Sequence, residues 1–105
     1  MTNEIMYKLL KAIEKDPKTN QRQLSAELDI CLGRINLFIN ELLEQGLITT
    51  EKTPKTIRRA CLYHLTPAGI TEKTAVAKRY LIDLKELRTS IDKTIKVLEE
   101  ETKYY

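Results

Sequence analysis

Glycine, proline and histidine are scarce in this chain of 105 residues, which holds three, three and one of them. With three scattered glycines, no glycine-rich loop exists to cradle a phosphate. The single His64 stands without a carboxylate pair and nucleophile beside it, so no catalytic residues are expected and the chain is not read as an enzyme. The two cysteines, Cys31 and Cys61, fall in different segments and lack paired metal-ligand spacing. Even with His64 they are too few for a zinc site, and no metal or cofactor is expected. No apolar run approaches the roughly 20 residues of a membrane span, and the opening MTNEIMYKLL lacks the basic, apolar, small-residue order of an export signal. A cytoplasmic protein without membrane contact is expected, in a compartment that keeps both thiols reduced.

Apolar residues make up 42% of the chain, enough for the core of one small domain. Ile5, Met6, Leu9, Leu10 and Ile13 recur at helical intervals up to Asp16-Pro17, where proline bars continuation, and predict a first helix that caps this core. Residues 19–48, TNQRQLSAELDICLGRINLFINELLEQGLI, then read as helix, tight turn, helix and strand start. Leu24 and Leu28 lie one turn apart, Ile30 follows a turn at Asp29, and Ile35, Ile39 and Leu42 return at helical spacing. Asp29 suits a left-handed turn, and Gly46 stops the second helix. Thr19 or Asn20 can cap the helix that follows, with Gln23 at capping-box spacing from Asn20. Gln21 and Arg22 then sit at a helix start, where free amides and the dipole favour a phosphate.

At about 100° per residue, the second helix turns Ile35, Ile39 and Leu42 inward and Gly33, Asn36, Leu37 and Asn40 outward. Small and amide side chains near the start of such a helix suit entry into a DNA major groove. Leu37 is read either as a contact to a thymine methyl or as a core-edge residue. Arg34 on the flank is read either as a phosphate contact or as a reader of guanine.

Short β-type runs at 47–50 and 60–65 flank EKTPKTIRR and predict a hairpin wing. Lys52, Lys55, Arg58 and Arg59 place four positive charges there, and no acid occurs between Lys52 and Thr71. The net charge of +3 is thus concentrated: residues 51–80 carry seven basic and two acidic side chains, while the flanking segments are each slightly acidic. A basic loop projecting beside a groove-reading helix points to nucleic acid. Arg58 and Arg59 are expected at the minor groove or its phosphates, with Lys52 and Lys55 adding diffuse attraction.

Thr66-Pro67 gives a cap followed by a first-turn proline, and no proline follows, so one helix is predicted from Pro67 to about residue 103. At about 1.5 Å per residue it would be roughly 55 Å long, too long to pack along its whole length on so small a domain. Ala77, Leu81, Leu84, Ile91, Ile95 and Leu98 alternate three and four apart, with Arg88 where an apolar residue is due, as in a coiled-coil seam. A second copy of the chain is the simplest cover, and packing back onto the first helix is the alternative. The fold class is therefore mainly α with a small β-hairpin: a winged helix-turn-helix domain over 1–66 and a long C-terminal dimerisation helix over 67–105.

QRQLSAELDI, GRINLFINELLEQGLI and YHLTPAGITEK together resemble the MarR family of winged-helix transcriptional regulators, in particular its short branch associated with exopolysaccharide loci. The resemblance spans nearly the whole chain. It implies a homodimer on double-stranded, palindromic operator DNA, with residues 32–40, from Leu32 to Asn40, as the groove-reading segment and Arg58 or Arg59 at the wing tip. Cys31 departs from the Ser or Thr cap usual in such proteins. It is read either as a redox-sensitive thiol favoured by the helix dipole or as a small packing residue. The resemblance identifies no small-molecule effector. The rival reading is a winged-helix module that binds protein or acts as a scaffold instead of reading DNA.

Overall fold

The computed structural model describes residues 1–52 and 61–103 and contains four helices and one hairpin among them. Helix α1, Asn3–Lys15, opens on Thr2, whose hydroxyl accepts from the Ile5 amide at 3.2 Å, and it closes at Asp16 ahead of Pro17. Helix α2, Gln21–Leu28, opens on Asn20, the side chain that accepts from the Gln23 amide at 2.9 Å; of the two cap candidates this one is used. Helix α3, Leu32–Glu44, follows a turn in which Asp29 takes φ 55° and ψ 47°, the left-handed region in which Asp is tolerated. Gly46 takes φ 71° and turns the chain out of α3 toward the hairpin.

Leu9, Leu10 and Ile13 of α1, Leu24 of α2, and Ile35, Phe38, Ile39 and Leu42 of α3 form one core, completed by Leu47, Ile48 and Tyr63 from the wing. Phe38 belongs to this core beside the Ile35, Ile39 and Leu42 stripe. Each such side chain contributes about 1.5–3 kcal/mol on full burial.

Strand β1, Ile48–Lys52, pairs antiparallel with β2, Cys61–Leu65. The expected strand at 47–50 is thus displaced: pairing starts at Ile48 and continues through Glu51 and Lys52, which lie opposite Leu62 and Cys61. Among the described residues the hairpin is a two-stranded ribbon, so polar residues can extend the ladder. The Tyr63 amide, on the other edge of β2, donates to the Pro17 carbonyl at 3.2 Å and ties the wing to the loop between α1 and α2.

Helix α4, Pro67–Thr102, is capped by Thr66, whose hydroxyl accepts from the Gly69 amide at 3.0 Å. Its first third is docked. Gly69 and Val76 are buried, the Tyr7 and Tyr80 rings lie 5.9 Å apart, and Lys73 meets Glu14 at 2.6 Å. Asn3 donates to Asp83 at 3.1 Å, and from residue 81 every described residue of α4 is exposed. The molecule is correspondingly drawn out, 71 × 26 × 20 Å. The start of this helix therefore packs back on α1, and its remainder projects. No helix among the described residues is long and apolar enough to cross a membrane.

Candidate nucleic-acid interface

The geometry of the α2–α3 pair follows from the turn between them. The Ile30 amide donates to the Ser25 carbonyl at 3.1 Å, and the Ser25 hydroxyl donates to the Ile30 carbonyl, so the turn is held from both sides. The half-buried Leu28 and Ile30 pack under it against the core. Cys31 is the N-cap residue of α3: its carbonyl accepts from the Arg34 and Ile35 amides at 3.1 Å each. Its side chain makes no capping bond and is exposed.

The face of α3 opposite the core is open. Gly33, Asn36, Leu37 and Asn40 are all exposed, as the helical projection required. Leu37 is 55% exposed, which removes it from the core and leaves an isobutyl group displayed between two amides. Leu32 at the start of the helix is 44% exposed. Arg34 lies on the flank, its guanidinium carbon 5.6 Å from the centroid of the Phe38 ring, a cation–π arrangement that holds the charge beside the exposed face of α3.

Asn36 and Asn40 are joined to α2. The Asn40 amide donates to Asn36 Oδ1 at 3.2 Å, and Asn36 Nδ2 donates to Gln21 Oε1 at 3.1 Å. Gln21, expected from the sequence at a phosphate alone, thus touches Asn36 on the outer face of α3. No spacing rule shows this, because the contact depends on the angle between two helices. Arg22 beside it is exposed. On the hairpin, His64 Nε2 and Glu51 Oε2 lie 3.1 Å apart, diagonally across the strands. Lys52 ends β1, while Lys55, Arg58 and Arg59 lie outside the described residues.

Residues 2–49 match the family model described as winged helix-turn-helix DNA-binding. Those residues span α1, α2, α3 and the first two residues of the hairpin. The chain has a winged helix-turn-helix fold. It is 35% identical over 65 residues to a Thauera aromatica protein whose name assigns it to transcriptional regulation of the hcr operon; the match covers 62% of this chain and 39% of that protein. A solved MarR family transcription regulator superimposes with a TM-score of 0.63 at 23% identity, over 95% of this chain and 69% of its own. Streptococcus pneumoniae FabT, solved in complex with DNA, superimposes with a TM-score of 0.59 at 22% identity, over 96% of this chain and 73% of its own. The winged helix-turn-helix and its long helix together thus share the fold of these two solved structures over most of the chain.

Proposed function

We propose that this winged helix-turn-helix chain is a sequence-specific regulator of transcription that binds a roughly palindromic DNA operator as a homodimer. Helix α3 enters the major groove, and the basic wing lies at the minor groove or backbone. The observation that carries this reading is the outer face of α3, where two amides and one isobutyl group stand exposed on a helix whose other face is core. Amides pair bidentately with adenine, and an apolar group fits the thymine methyl. Phosphate contacts fall to Gln21 and Arg22, because the α2 N-terminus has free amides, and to Arg34 on the flank of α3.

Selection of bound sequences from random duplex DNA tests the reading directly. An enriched, inverted-repeat site whose affinity falls steeply with salt supports it. Recovery of no preferred sequence and no salt dependence returns the chain to the protein-binding alternative. On the selected site, Asn36→Ala or Asn40→Ala is expected to cost about 1–3 kcal/mol, with binding to random DNA nearly unchanged. Equal losses on both would remove base readout from these amides. Replacing Arg58 and Arg59 together by alanine is expected to weaken binding to all sequences and flatten the salt dependence by about one phosphate contact per arginine. An unaltered salt slope would take the wing out of the interface.

Gly33 supports close approach of DNA to the start of α3. A Cβ built there meets no atom within 4 Å, and its backbone is helical, so neither packing nor strain calls for glycine. Gly33 is the second residue of α3, where glycine costs up to roughly 0.5–1 kcal/mol relative to alanine, the figure for a helix interior. Gly33→Ala is therefore expected to raise the melting temperature by a few degrees while weakening DNA binding. A variant that is more stable and binds as tightly as the parent would show that nothing approaches this backbone.

A further inference from the structure

The chain of amides from α3 to α2 has a direction, and direction is what an asparagine needs to read a base. An amide rotated by half a turn exchanges its donor and acceptor, so one Asn can offer adenine either the correct pair of groups or the reversed one. Asn36 is engaged at both ends: Nδ2 donates to Gln21 Oε1 at 3.1 Å and Oδ1 accepts from Asn40 at 3.2 Å. Each end keeps one free site, an N–H and a lone pair, which is what adenine N7 and the adenine 6-amino group require.

A three-amide chain can still reverse as a whole, and Gln21 decides between the two directions. It is the first residue of α2, and with its Oε1 turned to Asn36 its Nε2 is left with two N–H groups at a helix N-terminus. A DNA phosphate only accepts hydrogen bonds. A phosphate at that helix end therefore holds Nε2 toward itself and Oε1 toward Asn36.

Resting on the proposed base reading by α3, we infer that Gln21 is a positioning residue that couples a backbone phosphate to the orientation of Asn36 and Asn40. It thereby helps set their preference for adenine without touching a base. The function beyond phosphate binding is specificity, carried through two side-chain hydrogen bonds.

The test measures affinity for the selected operator and for random duplex in the full-length protein, and takes their ratio as the discrimination. Gln21→Ala is expected to lower that ratio roughly tenfold, within the range one bidentate amide–adenine pair supplies. Gln21→Glu keeps an acceptor toward Asn36 but repels phosphate, so overall affinity should fall while the ratio is largely retained. In Asn36→Ala the further change Gln21→Ala should leave the ratio where it already is. Because Gln21 is a surface position at a helix start, circular dichroism of each variant should match the parent. If Gln21→Ala lowers affinity for operator and random duplex alike and leaves the ratio intact, Gln21 is a phosphate contact only and the inference falls. If Asn36→Ala itself leaves the ratio unchanged, base reading by α3 falls first and takes the inference with it.

Discussion

Replacing Leu84 or Ile91 with glutamate is expected to turn the proposed dimer into monomers and to remove most of its specific DNA affinity. Beyond the segment docked on α1, helix α4 displays Leu81, Leu84, Leu87, Ile91, Ile95 and Leu98, each between 45% and 55% exposed. Ala77 is half-buried and Arg88 is exposed within the same stripe. Half-exposed leucines and isoleucines of this kind gain about 1 kcal/mol each when a second apolar surface covers them. A glutamate in such a seam appears once in each chain, so two uncompensated charges are buried together. At several kcal/mol per buried charge, and about 1.4 kcal/mol per tenfold, dissociation should strengthen by more than a hundredfold. Light scattering should report half the parent mass, and gel shifts should lose the band of the complete operator while weak binding to half-sites remains. Half-sites about 34 Å apart follow from two recognition helices on one face of the duplex. A dimeric mass for both variants would move the interface off this stripe. Arg88→Ala is the milder companion, since a guanidinium can lie along an apolar seam by its stem.

Gly69→Ala is expected to destabilise the fold by about 3 kcal/mol or more, the upper end of the usual cost of overpacking. A Cβ at Gly69 would stand 2.0 Å from the Leu47 carbonyl oxygen, 3.0 Å from its carbon and 3.4 Å from Leu65 Cδ2. The obstacle is backbone, so no rotamer change relieves it. Moving that carbonyl is costly in turn, because the Leu47 oxygen accepts from the Thr66 amide at 3.1 Å and from the Thr66 hydroxyl at 3.1 Å. Thr66 is the cap of α4, so one added methyl group opposes both the docking and the start of the long helix. At roughly 4–8 °C per kcal/mol in a domain of this size, the melting temperature should fall by more than 12 °C. The same substitution at Gly33 should move it the other way. A parental melting temperature for Gly69→Ala would mean that α4 does not begin against Leu47.

The outward set on α3, the left-handed residue at Asp29, the stop at Gly46, and the cap and extent of α4 were all legible as sequence. Each depends on a residue's neighbours within four positions, where the helical repeat and a few backbone preferences decide the outcome. The expected 47–50 strand differs at both ends, because a hairpin's ladder ends where its partner stops pairing. That partner lies beyond the reach of local pattern.

Other features arise between elements. The Gln21–Asn36 hydrogen bond, the Tyr7–Tyr80 contact, the Tyr63–Pro17 bond and the intolerance of Gly69 all join residues at least 15 positions apart. They exist because packing set the angle of α3 to α2 and the depth of α4 against α1 and the hairpin. Those angles are the sum of many small side-chain contacts in one core, to which no single residue or spacing corresponds. The sequence therefore specified which side chains α3 turns away from the core. Packing decided that Gln21 is hydrogen-bonded to one of them, and that a methyl group is welcome at one glycine and excluded at another.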